Sequence, residues 1–256
     1  MLSYFESAFA IALSLVGAML LVAVLNRVWP VTSRKLVNDV NGWQLGVLGT
    51  TYGVILGFML YTVWGQFRGA EMDAVLEATS ALNIYRIAVG LPEPQREQMK
   101  RLAKEYVDAV ANLEWPAMQR QQEEHAGGRV LAQMWEVLNS VKAESTGETN
   151  SIDHIASAMS NLAERRNLRE NQRDNELPTL MWVLLIVGGV ATVVSSCLLG
   201  NENQWLHYCQ VMALTFVVAV TLAAIADLAK PYQGALAVKS TVFVRTLEIM
   251  QGTVVP

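Results

Sequence analysis

Four stretches of this chain are too long and too apolar, without a single charge, to be ordinary surface helices or core strands. A hydrocarbon layer about 30 Å thick takes about 20 mostly apolar residues to cross as a helix. Ala8 to Leu25, Leu45 to Trp64, Leu180 to Leu199 and Tyr208 to Ala226 meet that need, and none contains Asp, Glu, Lys or Arg. Span two is closed by Gln66 and Arg68, and span four by Asp227, Lys230 and Pro231. Pro178 opens span three, where its fixed φ suits a first helical turn. Met1 to Ser7 carry Glu6 but no Lys or Arg, so span one reads as an uncleaved anchor rather than a signal peptide. Composition agrees: 52% of residues are hydrophobic and 16% charged, where a soluble domain carries about a quarter charged residues. Seven prolines and two cysteines leave no room for a disordered chain or a disulfide scaffold. A net charge of −4 supplies no global basic field, so no nucleic-acid partner is expected.

Four spans put both termini and the long middle segment on one side of the bilayer. Flanking charges on that side are Arg68, Arg165, Arg166, Arg169, Arg173, Lys230, Lys239 and Arg245, against Arg27, Arg34 and Lys35 on the other. The positive-inside rule therefore assigns the middle segment and both termini to the cytoplasm. Trp29, Trp43, Trp64, Trp182 and Trp205 fall near span ends, as an interfacial aromatic belt requires. The expected division is spans one and two over 1–65, a soluble bundle over 66–177, spans three and four over 178–229, and a C-terminal segment over 230–256.

Between spans two and three every apolar pattern is helical. Leu76, Thr79, Leu82, Asn83 and Arg86 share one side of a helix continuing from span two, ended by Leu91-Pro92-Glu93-Pro94. Met99, Leu102, Tyr106, Val110 and Leu113 mark a second helix that stops near Trp115-Pro116. Val130, Leu131, Met134, Trp135, Leu138 and Val141 mark a third. Ser145 to Ser151 is rich in Ser, Thr, Gly and Asn and is expected to be a flexible loop. Ser151 or Asp153 then caps a last helix with Ile155, Met159 and Leu162 facing inward. The fold class is thus an all-α membrane protein: four transmembrane helices with a cytoplasmic helical bundle inserted between helices two and three.

Chemistry-bearing clusters are few. His125, His154 and His207 occupy separate loop-like places without ligand spacing, so no metal site is expected. No nucleophile elbow, zinc signature or phosphate-cradling glycine loop occurs, and neither catalysis nor a cofactor is expected. Cys197 and Cys209 flank a short loop and read mainly as apolar thiols, a disulfide being the lesser alternative. Span two carries the most information. Its GTTYGVILG segment places Gly49, Gly53 and Gly57 four apart, with Gly46 just before. Each glycine in a helix costs about 1 kcal/mol relative to Ala, so the stripe either packs against another span or faces an axis or narrow path in an oligomer. Thr50, Thr51, Tyr61, Thr62 and Gln66 lie on neighbouring arcs, with Phe58 and Leu60 as candidate hydrophobic constrictions. Smaller stripes, Ala10-Ser14-Ala18 and Gly188-Thr192-Ser196, read as packing faces. Ion-coupled pumps usually need ionisable groups inside the membrane; Asp227, at the end of span four, comes nearest, either paired with Lys230 or as an ion-attracting mouth.

LGTTYGVILGFMLYTVW in span two, EATSALNIYRIAVGLP after it, EWPAM, ELPTLMWVLLIVGG at span three and ADLAKPYQGALAV after span four occur in order. Together they resemble the bacterial membrane family with a bestrophin-like domain, from about Asn41 to Phe243. Bestrophins are ring-shaped ion channels with cytoplasmic helical domains and a pore lined by the second span. The resemblance therefore implies a homo-oligomer in the bacterial inner membrane, passing small ions, with Gly49, Gly53 and Gly57 toward the axis. Asp227, Pro231 and Gly234 match the family's acidic-proline-glycine motif after the last span. The acidic calcium-binding cluster of animal bestrophins is not recognisable, so calcium gating does not carry over. The competing reading is a non-conducting, membrane-anchored helical scaffold or sensor module.

Overall fold

The structure, a computed structural model, describes residues 4–173, 177–234 and 236–253. Among these, regular structure is helical throughout. The α-helices are α1 (Tyr4–Val28), α2 (Val31–Lys35), α3 (Asn38–Ile87), α4 (Gln95–Ala109), α5 (Trp115–Gln119), α6 (Ala126–Asn139), α7 (Thr146–Arg173), α8 (Thr179–Cys197), α9 (Gln204–Leu228) and α10 (Thr241–Gln251). Four helices, containing α1, α3, α8 and α9, are long and apolar enough to cross a membrane. Span two is the middle of a far longer element, since α3 runs 50 residues without a break.

The chain divides into two compact units, over 1–66, 176–230 and 234–236, and over 67–175, 231–233 and 237–256. In the first, α1 and α8 both pack on α9, around Ala18, Val22, Cys197 and Val211. Phe9, Leu20, Val187 and Phe216 point away from the unit, as side chains that meet lipid must. Ala18 packs, but Ala10 and Ser14 of the same stripe are exposed. The turn after α8 is closed by the α2–α3 corner. Arg34 Nη1 donates to the Cys197 carbonyl at 3.1 Å, while Asn38 donates to the Gly200 carbonyl and accepts its N–H. A buried guanidinium at a helix C-terminus opposes the negative end of the helix dipole. Lys35 pairs with Glu202 at 2.5 Å. Both cysteines are free thiols, Cys197 buried and Cys209 exposed; the alternative of a bridge falls, and only Cys197 is a buried thiol.

The second unit buries one apolar core. Met99, Leu102, Tyr106 and Val107 of α4 meet Val130, Leu131, Met134 and Leu138 of α6 and Ile155, Met159 and Leu162 of α7. Tyr232, Val238, Phe243 and Met250 add the chain beyond span four to that core. Five expectations change here. On α3 the buried side is Ala74, Ala78, Ala81 and Ile84, while Thr79, Asn83 and Arg86 are exposed. A single π-helical turn at Val110–Glu114 advances the face by one residue, so Leu113 is 52% exposed and Glu114 and Trp115 turn inward. The helix consequently does not stop at Trp115-Pro116 but continues as α5. Ser145 to Ser151 is not a loop: α7 starts at Thr146, and the Ser145 hydroxyl accepts the Glu148 N–H at 3.2 Å. Glu148 in turn accepts the Glu144 N–H at 2.7 Å, a reciprocal arrangement close to a capping box. Ser151 and Asp153 therefore lie inside the helix rather than at its cap.

Candidate functional site

The residues singled out in span two stand on the uncovered side of α3. Tyr52, Leu56 and Val63 are its buried positions there. At about 100° per residue, Gly46, Gly53 and Gly57 lie about 100–140° round the helix from Tyr52, with Thr50 and Tyr61 nearly opposite it. A Cβ built on Gly46, Gly49, Gly53 or Gly57 meets nothing within 4 Å. Phe58 and Tyr61 are 70% and 76% exposed, and Thr51, Leu60, Thr62 and Gln66 are exposed as well. Thr50 and Thr62 donate at 2.8 Å to the Gly46 and Phe58 carbonyls, so their hydroxyl protons are satisfied inside the helix. Among the described residues no other span comes within 4 Å of a Cβ at any of these glycines.

The glycines that do seat a neighbour are on α8. Tyr52 lays its ring on Gly188 and Gly189 and donates its hydroxyl to the Leu185 carbonyl at 2.8 Å. A Cβ on Gly188 would come within 2.6 Å of Tyr52 Cδ2, and one on Gly189 within 2.8 Å of the hydroxyl and 3.2 Å of Val218 Cγ1. Thr192 and Ser196, the rest of the Gly188 stripe, are buried.

Charge concentrates in the second unit, inside its core. Arg169 Nε and Nη2 grip the two oxygens of Glu77 at 2.7 and 3.0 Å. Nη2 also donates to Glu114 at 2.8 Å. Arg166 Nη1 reaches both oxygens of Glu114 at 2.8 and 2.6 Å, and the Gly127 N–H donates to the same carboxylate at 2.8 Å. Tyr106 donates to Glu77 at 2.7 Å. Glu77, Glu114, Arg166 and Arg169 are all buried. Burial alone pushes the Glu114 carboxyl up, but Arg169 and Arg166 outweigh it and hold the group below the usual carboxylate range. For Arg169 burial opposes the charge, yet Glu77 and Glu114 hold the guanidinium protonated well above its ordinary value. Burial, with Glu77 beside it, keeps the Tyr106 phenol neutral. A Cβ on Gly127 would crowd both Arg166 and Glu114 at 3.0 Å, so that glycine makes room for the pair. Two of the arginines counted as topology signals thus serve inside the fold. Glu77 and Glu114 open the EATS and EWPAM motifs, and Arg169 is where those motifs meet.

Trp115, from the same EWPAM motif, fixes the chain that follows span four. Its indole N–H donates to the Val238 carbonyl at 3.1 Å. Its ring stands edge-on to Tyr232 at 5.5 Å and tilted against Phe243 at 5.4 Å. Tyr232 in turn donates to Gln172 at 3.1 Å. Pro231 is buried and its carbonyl accepts the Val238 N–H at 2.8 Å. Gly234 has φ +84°, and a Cβ there would collide with the Asp227 carboxylate, so glycine is required twice over. The acidic-proline-glycine motif is therefore a chain reversal in which Asp227 and Gly234 touch.

The histidines do not converge. His125 is exposed, 3.9 Å from Glu123 and 4.0 Å from Glu170. His154 and His207 lie in helices rather than loops. His207 is buried, with Nε2 3.2 Å from the Ser196 carbonyl. Among the described residues no group of His, Cys, Asp and Glu is placed to hold a metal.

These observations define an all-helical protein with four helices able to cross a membrane, the second continuing unbroken into a charged-core bundle. A family model described as the Bestrophin-like domain matches residues 12–243. The chain belongs to the Bestrophin-like family. Its fold is similar to that of a bacterial bestrophin homologue from Klebsiella pneumoniae carrying a single substitution, at 10% identity and TM-score 0.74, over 96% of this chain and 98% of that one. A second crystal structure of the Klebsiella pneumoniae homologue gives TM-score 0.68 at 11% identity, over 96% and 98% of the two chains. A structure described as a membrane protein with one substitution gives TM-score 0.71 at 11% identity, also over 96% and 98%. No curated protein matches the sequence.

Proposed function

We propose that the chain is one subunit of a homo-oligomeric ion channel in the bacterial inner membrane. Small ions pass beside the Gly49-Gly53-Gly57 face of α3, and the bundle and both termini are cytoplasmic. One observation carries this reading: that face is bare in the single chain, while a different face of the same helix is closed by Tyr52 on α8. Lipid tails are as apolar as leucine, so a helix gains association energy chiefly where small residues let backbones approach. A second copy of the same face, repeated around an axis, is what repays a glycine stripe. Phe58 and Leu60 then narrow the path by excluding water. Asp227, Pro231 and Gly234 hold the chain reversal after α9 rather than forming a mouth. Membership of the Bestrophin-like family and the fold shared with bestrophin homologues support the channel class.

Single-particle imaging of the detergent-purified protein, followed by flux from liposomes, tests the reading. The expected result is a closed ring with the α3 glycines beside a central path, and a Gly53→Leu variant that loses flux at least tenfold or fails to assemble. A ring in which Gly53→Leu conducts normally moves the path elsewhere. A monomer or an open dimer returns the scaffold or sensor reading. Labelling of a Ser145→Cys variant from outside intact cells would overturn the cytoplasmic placement.

A further inference from the structure

A cavity of about 290 Å³ lies inside the second unit, between residues 67–75 of α3 and residues 237–242 of the chain that follows span four. Its apolar lining includes Phe67, Val75 and Val242, and its polar lining is Glu71, Lys239 and Thr241. The 237–242 wall is held in place. Val238 donates its N–H to the Pro231 carbonyl at 2.8 Å, and its own carbonyl takes the Trp115 indole N–H at 3.1 Å. Glu71 pairs with Arg68 at 3.1 Å, both side chains being exposed. Among the described residues Lys239 forms no ion pair. The depth of the cavity follows from α3 itself. Span two is uncharged up to Trp64, and Phe67 and Glu71 stand three and seven residues further along the unbroken helix. Those steps are about 4.5 and 10 Å at 1.5 Å per residue, and a headgroup layer is roughly 5–7 Å thick. The cavity therefore starts at headgroup depth.

We infer that this cavity is a lipid site, which takes the headgroup of an ethanolamine phospholipid from the leaflet that α3 leaves. The two charged side chains in its lining have opposite sign and come from different segments, which suits a headgroup carrying both charges. A phosphate diester accepts hydrogen bonds and donates none, and Lys239 supplies three donors and no acceptor, with the Thr241 hydroxyl beside it in the lining. A primary ammonium is the converse, and the Glu71 carboxylate only accepts. That carboxylate has about four acceptor positions, so Arg68 does not exhaust it. The carbons between phosphate and ammonium lie against Phe67, Val75 and Val242. A choline headgroup has no N–H to give Glu71. A glycerol headgroup brings negative charge to Glu71 with no positive charge to answer it, and such a mismatch is how a site rejects a competitor. Pockets for drug-sized ligands begin at about 300 Å³, so the space suits a headgroup while the acyl chains stay in the bilayer.

The site rests on α3 crossing a bilayer and not on conduction, so the test reads binding. Full-length protein in detergent is offered ethanolamine, glycerol and choline phospholipids with the same acyl chains in equal amounts, and native mass spectrometry counts what each subunit retains. The expected result is an excess of the ethanolamine lipid of about fivefold or more. The same lipid should raise the melting temperature more than the other two, because a ligand that binds only the folded state stabilises it. Lys239→Ala and Glu71→Gln change exposed side chains, and each is expected to cut the excess below about twofold, while Lys239→Arg keeps it. Equal retention of the three lipids, or an excess that survives Lys239→Ala, overturns the site. A preference for the glycerol lipid reduces Lys239 to plain attraction for anionic lipid and overturns the zwitterionic assignment. Free phosphoethanolamine separates the two sources of this chemistry. It is expected to leave the melting temperature unchanged, and a rise as large as that given by the lipid would make the ligand a soluble phosphate compound and overturn the membrane source.

Discussion

Residues 38–66 and 67–87 of α3 are one helix built to two specifications. In the first stretch the buried positions are Tyr52, Leu56 and Val63, Tyr52 donates its phenol to the Leu185 carbonyl, and no residue between 45 and 64 is charged. In the second, Asp73 and Glu77 are buried among alanines, each facing an arginine. The difference lies in what surrounds the helix. Lipid offers neither donors nor water, so an ionised group there stays uncompensated. The bundle supplies Arg165, Arg166 and Arg169 from α7 and Tyr106 from α4, enough donors to make buried carboxylates tolerable. A helix can bury charge only where its neighbours can answer it.

The largest effect expected from breaking that contrast is at Arg169. Arg169→Met leaves the buried Glu77 carboxylate with the Tyr106 hydroxyl but no cation, and removal of one member of such a pair costs about 3–5 kcal/mol. Thermal unfolding of the purified variant, followed by protease sensitivity within the bundle, measures it; a melting point equal to that of the native chain would show the cluster to be incidental. Pairing the change with Glu77→Leu is expected to recover much of the loss. In the first stretch the corresponding weak point carries no charge. Gly188→Ala drives a methyl group to 2.6 Å from the Tyr52 ring, and the ring is tethered by its hydroxyl. Overpacking of this kind costs about 1–3 kcal/mol, read as a lower melting temperature in detergent.

What was legible in the sequence followed the same division. The four spans were plain because hydrocarbon thickness sets helix length, and the faces of α4 and α6 were plain because Met99, Leu102, Tyr106, Val130 and Met134 recur at helical spacing. The glycines of span two were legible as an anomaly, but their open surroundings were not. The small-residue stripe through Gly188 marks a packing face, but only the adjacent Gly189 completes the seat for Tyr52. Spacing arguments assume a constant 3.6 residues per turn, so they do not reveal the π-turn at Val110–Glu114, which turns Leu113 out and Glu114 in. The arginines before span three were counted by charge, and spacing gives no sign that Arg166 and Arg169 would find acids 52 and 92 residues away. The start of α7 is written in the sequence: Ser145-Thr146-Gly147-Glu148 has the Ser-x-x-Glu pattern of a helix start. Ser145→Ala is expected to cost about 1 kcal/mol, seen as faster amide exchange in the first turn of α7.

The smallest expected effect sharpens the comparison most. Gly53→Ala adds a methyl group that meets nothing in the single chain, and exchanging Gly for Ala inside a helix is favourable by up to about 1 kcal/mol. The isolated subunit should be as stable as the native chain or slightly more so, in contrast to the loss at Gly188. A stripe whose glycines matter only between copies predicts that the same change weakens the oligomer or alters flux without lowering subunit stability. Comparing the melting temperature of the subunit with the dilution at which the assembly dissociates separates the two. A drop in both would mean that some part of the same chain already covers this face, and the reason for assigning it to a second copy would be gone.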